Sequence, residues 1–346
     1  MSCDPDFLPF SAWMERALFD PERGYYSARV QTVGRHGDFS TSATISDLLG
    51  DAIAHWLMQE LKRQPQIRNV IELGGGDGSL SKSVRKRLGW WQRLRLRWSM
   101  VEISPRLREQ QQAKLGSRNA HWFTDLAEAL KSCDGQALIF HNELVDAFPV
   151  TLLQWNASLE TWQEVWLQKT KSGWNEVLQT FAPDESTTFC AGLDKEDWKN
   201  VPLRDGQRMD VHRSYRDWLQ TWSPGWKAGA MLTIDYGDTF PQLYYRQPRG
   251  NLRAYLRHQT LTGKDVYANM GRQDLTTDVN FSDLEAWGTA LGWKNEALQT
   301  QAQFLQTCLP DLEKRIEKAP SAAFLTNEFG AGSAFKVLVQ RPACPQ

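Results

Sequence analysis

The residues Glu72-Leu73-Gly74-Gly75-Gly76-Asp77-Gly78 carry the pattern with the most definite chemistry in the chain. The apolar run Val70-Ile71-Glu72-Leu73 reads as a strand entering it, and Ser79 opens a helix on the far side. Glycines at such a junction let backbone N–H groups approach a ligand closely at a helix N-terminus. Gly74, Gly76 and Gly78 spell G-x-G-x-G, whereas the dinucleotide fingerprint needs glycine where this chain has Ser79. The loop therefore leans from a nicotinamide dinucleotide toward S-adenosylmethionine. Glu102 follows Gly78 by 24 residues, near the offset of a ribose-binding carboxylate. Glu72 is placed to meet the cofactor's amino end, Ile103 to lie against adenine, and Asp125 to read the adenine amino group. The plainer role for Glu102 is to cap the helix opening at Ser104-Pro105.

A second set follows a later strand, in His141-Asn142-Glu143-Leu144-Val145-Asp146-Ala147-Phe148-Pro149. Glu143 and Asp146 are three apart and would face the same way on a helical turn. Two carboxylates so placed can hold a guanidinium through bidentate hydrogen bonds, with Asn142 shaping the same site. The plainer reading makes Asp146 a helix cap and leaves Glu143 solvated. Asp235-Tyr236-Gly237 is another polar strand end. Asp38, in a glycine-punctuated loop, and His258, as a base, are secondary candidates. The run Arg85 to Arg97 interleaves basic residues with Trp90 and Trp91, a nucleic-acid pattern, but near-neutral overall charge favours a solvated face.

The elements that must position these residues alternate. Helical periodicity runs through Leu48, Leu49, Ile53, Trp56, Leu57 and Leu61. Strands are expected at 70–73, 97–103, 121–123, 137–141, 231–234 and 335–339, with helices at 79–88 and 105–115. That alternation predicts an α/β fold, a Rossmann-like, doubly wound, mostly parallel sheet with the site at the strands' carboxyl ends. We expect an N-terminal helical segment and flap at 1–66, then a cofactor-binding core at 67–150. A β-rich insertion and helix should occupy 151–228, with a hairpin at Lys171-Ser172-Gly173. The rest of the core would fill 229–346, carrying a polar insertion at about 238–281.

Composition sets limits. Net charge is −1, which gives no global pull toward nucleic acid or an anionic membrane. The 5 cysteines are scattered, against a disulfide framework or a zinc site. No signal peptide and no apolar run long enough to span a bilayer are read, so the expectation is a cytoplasmic protein. The 16 tryptophans concentrate between Trp155 and Trp226, where packing of a β-rich insertion is their expected use.

Taken together, Ala17 to Tyr26, Gly37-Asp38-Phe39-Ser40-Thr41-Ser42, the glycine loop, Val101 to Arg108, Asn142-Glu143 with Asp146 and Pro149, and Asp235-Tyr236-Gly237 resemble the MidA-like methyltransferase family. So do the segments Arg253 to His258, Asp274 to Phe281 and Phe335 to Leu338. The resemblance implies a class I methyltransferase fold, S-adenosylmethionine as cofactor, and Gly37-Asp38-Phe39 in a flap near it. A mitochondrial member of the family methylates a protein arginine, so a protein arginine is the implied acceptor. A small-molecule nitrogen or oxygen acceptor is the enzymatic alternative, and a cofactor-binding assembly scaffold without turnover is the non-enzymatic one. Ala43 and Gly75 stand where the family usually has proline, and Asp210-Val211-His212 departs from its usual Glu-Val-Ser-Pro.

Overall fold

The computed structural model describes residues 5–29, 47–182, 190–256, 259–327 and 330–343. The chain divides into two compact, interleaved units: Met1–Val30, Val145–Trp218 and Gly237–Trp287 form one, and Gln31–Leu144, Leu219–Tyr236 and Gly288–Gln346 the other.

The second unit holds the sheet that the glycine loop belongs to. Its strands are β1 (Asn69–Leu73), β2 (Arg97–Val101), β3 (His121–Phe123), β4 (Gln136–Asn142), β5 (Ala228–Asp238), β6 (Lys294–Thr300) and β7 (Phe335–Arg341). They lie side by side in the order β3-β2-β1-β4-β5-β7-β6. The pairs β1–β2, β1–β4, β2–β3 and β4–β5 are parallel, while β7 runs antiparallel to β5 and β6. Strand order reverses between β1 and β4, and this switch point is where such sheets bind ligands. Near-continuous apolar runs such as Ala137-Leu138-Ile139-Phe140 reflect burial on both faces, and each of these residues is 0% exposed. Against one face pack the helices Leu48–Arg63, Ser79–Arg87 and Gln301–Cys308, through Leu49, Ile53, Leu57, Val84, Phe304 and Leu305.

Expected and observed elements agree at the helix Pro105–Leu115 and at His121–Phe123. The expected strand at 231–234 is longer, running from Ala228 to Asp238. Strand β6 escapes a sequence reading because Lys294-Asn295-Glu296 is polar and sits at a sheet edge, where half-exposed positions need no apolar alternation.

The first unit contains an antiparallel sheet in which Thr161–Thr170 pairs with Phe7–Pro9, Thr151–Asn156 and Gly173–Thr180. The expected hairpin is formed, with Thr170 opposite Gly173 and φ of +121° at the glycine. Arg253–Leu256 lies between Gln259–Leu261 and Asp274–Thr276 in a smaller sheet. Tryptophans serve packing in both units. Trp155, Trp162 and Trp198 form one ring cluster, and Trp222, Trp226 and Trp293 another with centroids 5.2–6.1 Å apart.

Candidate active site

At the carboxyl end of β1 the glycines bend the chain sharply, with φ of +59°, +51° and +82° at Gly74, Gly76 and Gly78. L side chains rarely adopt these angles, so the loop stays thin, and Gly74 to Asp77 are half-buried rather than enclosed. Asp77 accepts from Ser79 N at 2.9 Å and pairs with Lys114, which fixes the entry to the helix.

Glu102 ends the neighbouring strand and is 6% exposed. One carboxyl oxygen accepts from Ser104 N at 2.9 Å and the other from Gln111 Nε2 at 3.2 Å. The cap of the following helix is Ser104, whose Oγ accepts from Leu107 N at 3.5 Å. Glu102 thus supports the capping residue rather than capping the helix itself, and its two bonds do not consume all of its acceptor capacity. Burial pushes the Glu102 carboxyl up to about 7, opposed by those two hydrogen bonds. Gln111 Nε2 also reaches Gly76 O at 2.8 Å, and its Oε1 accepts from Trp122 Nε1 at 3.0 Å. This fully buried glutamine ties Glu102 to the glycine loop. A glutamine one helical turn before Leu115 carries no sequence signal of that role.

Ile103 is 53% exposed beside the buried Glu102, an apolar face left open at the strand end. Asp125 is exposed and accepts from Ala127 N at 2.6 Å as the cap of the helix Leu126–Lys131. Glu72 lies deeper than its expected partner role suggests. It is 1% exposed, and its carboxyl contacts Ser81 Oγ, which also accepts from Trp98 Nε1 at 2.7 Å. Burial pushes the Glu72 carboxyl up to about 8, with the Ser81 contact working against it and the Asp77 and Glu102 charges adding to it.

Next to β1, strand β4 delivers Asn142 and Glu143. Glu143 N donates to Ile234 O at 2.9 Å, and Leu144 N donates to Asp235 Oδ2 at 3.2 Å. These bonds tie the turn to β5 and hold Glu143 at φ +54°, outside any helix. The expected shared helical turn for Glu143 and Asp146 is therefore corrected, because Asp146 lies beyond it in the 3₁₀ turn Val145–Ala147, in the other unit. Asn142 Nδ2 donates to Glu143 Oε1 at 3.0 Å and sets that carboxylate's direction. The turn reaches the glycine loop: a Cβ on Gly74 would stand 2.7 Å from Leu144 Cδ1. Asp235, fully buried, anchors the turn; the sequence signal for it is a polar strand end, and the structure adds that this strand pairs with β4.

The first unit gathers a separate polar set. Tyr26 donates its hydroxyl to Asp274 Oδ1 at 2.7 Å, and Thr277 N donates to the Asp146 carbonyl at 3.2 Å. Burial, then the Asp274 and Asp146 charges, hold the Tyr26 hydroxyl well above its usual range. Sequence reasoning missed Tyr26 and Asp274 as partners, although both fall in segments that carry the family resemblance. Arg253 is ion-paired with Asp278 at 2.6 Å. Burial pushes His141 and His212 down to about 3, so both are neutral structural groups that contact threonine hydroxyls at 3.0 Å. Asp38 and His258 lie outside the described residues. Among the described residues no cluster suits a metal ion, and no helix is long and apolar enough to cross a membrane.

Among curated proteins, the chain is similar to the Drosophila melanogaster mitochondrial protein arginine methyltransferase NDUFAF7 homolog. The two are 27% identical over 304 residues, covering 79% of this chain and 65% of that protein. The Homo sapiens mitochondrial protein arginine methyltransferase NDUFAF7 is 26% identical over 324 residues, covering 80% of this chain and 64% of its own length. The chain thus spans about two thirds of these relatives. The expectation of a cytoplasmic protein is overturned by them, since these relatives are mitochondrial. In fold, the chain matches a Burkholderia thailandensis crystal structure bound to S-adenosyl-homocysteine. That match has a TM-score of 0.82 at 24% identity, over 99% of this chain and 89% of the other. The expected class I methyltransferase fold is therefore present. A sequence model matches residues 52–298, and the chain belongs to the family it describes, "Putative S-adenosyl-L-methionine-dependent methyltransferase".

Proposed function

We propose that this protein transfers a methyl group from S-adenosylmethionine to the guanidinium of a protein arginine. The observation that carries the acceptor side is Glu143, a non-glycine residue held at φ +54° where the β4 turn packs on the glycine loop. Such a conformation costs on the order of 1–3 kcal/mol and persists where surrounding structure over-determines it, commonly at functional sites. The arginine acceptor is supported by the names of the curated relatives.

S-adenosylmethionine is the family's cofactor. The residues present suit it: a thin glycine turn, a buried carboxylate at Glu102 for ribose hydroxyls, and the open apolar face of Ile103 for a base. Glu72 and Asp125 complete the cofactor-side assignment. When bound, the cofactor supplies an electrophilic methyl on a sulfonium. The chain's own work is alignment. Asn142 directs the Glu143 carboxylate, Asp235 fixes the turn, and Glu143 pairs with the guanidinium so that its nitrogen meets the methyl in line. With the cofactor bound, methyl transfer to the guanidinium nitrogen would leave the thioether as the leaving group, and the Glu143 carboxylate would stabilise the methylated cation until its proton leaves to solvent.

The test is incubation of the chain with radiolabelled S-adenosylmethionine and a cell extract, followed by mass spectrometry of labelled proteins. Labelled methylarginine is expected, and Glu143→Gln should lower labelling about 100-fold while cofactor affinity changes less than about threefold. Cofactor binding without any labelling would establish a scaffold instead. Label confined to small molecules would overturn the protein acceptor.

A further inference from the structure

The segment between the glycine-loop helix and β2 has a surface that methyl transfer does not use. Residues 78–101 contain no Asp or Glu, yet they hold Lys82, Arg85, Lys86, Arg87, Arg93, Arg95 and Arg97. In their midst the short helix Trp90–Arg95 presents Trp90, Trp91 and Leu94 at 67%, 60% and 75% exposure. Among the described residues, Leu94 and Trp90 are the two most exposed large apolar side chains, and Trp91 stands beside them. The helix is fastened, not loose. Leu88 is 2% exposed on one side of it, Leu96 packs against the core on the other, and Arg95 Nη2 donates to Pro65 O at 2.7 Å. Trp90 and Trp91 meet edge to face at 5.5 Å, which presents one rigid aromatic ridge. Arg93, Arg95 and Arg97 are exposed around it. Behind the ridge, a cavity of about 250 Å³ lined by Met58, Leu61, Trp91 and Leu96 extends the apolar surface.

We propose that this ridge is a membrane-docking surface that seats the protein on an anionic lipid bilayer. Tryptophan favours the headgroup layer because its ring is apolar and its N–H is polar. An apolar ridge ringed by arginine gains both buried area and attraction to anionic headgroups. A nucleic acid would use the charge but leave Leu94 without a role. The net charge of −1 conceals this segregation, which is why composition alone gives no membrane partner. The ridge lies at the amino-terminal edge of β2, and the glycine loop lies at the carboxyl-terminal edge of the parallel β1. Docking therefore leaves the cofactor edge turned away from the lipid.

The experiment is flotation of the full chain with vesicles of phosphatidylcholine alone, or with about one third phosphatidylglycerol. Binding is expected only to the anionic vesicles, with a blue shift of tryptophan emission and weakening at high salt. The double variant Trp90→Ala/Leu94→Ala should lose about tenfold or more in binding, and so should Arg93→Glu/Arg97→Glu. Neither should alter the melting temperature or S-adenosylmethionine affinity. Equal binding to both vesicle types would overturn the proposal, as would undiminished binding of the Trp90→Ala/Leu94→Ala variant. So would a concentration-dependent blue shift without lipid, which would make the ridge a contact between copies of the chain.

Discussion

Replacing Glu72 by glutamine should make the protein more stable at pH 8 and leave it nearly unchanged at pH 5. In the folded chain burial holds this carboxyl's titration near 8, against about 4.5 in the ordinary state. Between those values the folded state keeps a proton that the unfolded state has released. Stability is then fully present below about pH 4.5 and falls as pH rises through 8, at up to about 1.4 kcal/mol per pH unit for one proton. Across that window the loss from Glu72 is on the order of 4–5 kcal/mol as an upper bound, because partial water penetration reduces it. Glutamine keeps the shape and an acceptor for Ser81 but cannot ionise. Urea unfolding of ligand-free protein at pH 5 and pH 8 measures the difference. The gap between variant and wild type should widen by at least about 2 kcal/mol toward pH 8. A constant gap, or a variant less stable at pH 8, would refute the reasoning. The same variant examines the cofactor role. If the Glu72 carboxylate meets the cofactor's ammonium, S-adenosylmethionine binding to wild type releases a proton at pH 7, and Glu72→Gln weakens binding about tenfold or more. Calorimetry in two buffers of different ionisation heat reads both.

Glu102→Gln should weaken S-adenosylmethionine binding about 10–100-fold by calorimetry, since a charged acceptor for ribose is lost. Wild-type affinity should rise with pH through about 7 as Glu102 ionises. Gly78→Ala should lower stability by about 1–3 kcal/mol, because φ is +82° and a Cβ would stand 3.3 Å from Gln111 Cα; thermal melting checks it. Trp222→Ala, at a side chain 1% exposed between Trp226 and Trp293, should cost about 3–5 kcal/mol in chemical denaturation.

The sequence by itself determined the parts governed by local spacing. Apolar runs ending in glycines located β1 and its loop, Ser79 shifted the reading away from nicotinamide, and Glu102 stood out by its offset from the glycines. Buried parallel strands such as Ala137 to Phe140 announce themselves, because both faces must be apolar. Tertiary structure decided what depends on neighbours distant in the chain. The helical reading of Glu143 and Asp146 failed because hydrogen bonds to Ile234 and Asp235, some 90 residues away, fix the turn instead. Gln111 as a link to the glycine loop and Tyr26 as a partner of Asp274 are likewise contacts that residue type does not encode. The polar edge strand at Lys294 acquires its conformation only by pairing with β7. Exposure, too, is a tertiary property. Trp90, Trp91 and Leu94 are as apolar as any core residue, and only the anchoring of Leu88 and Leu96 beneath them turns their side chains to solvent.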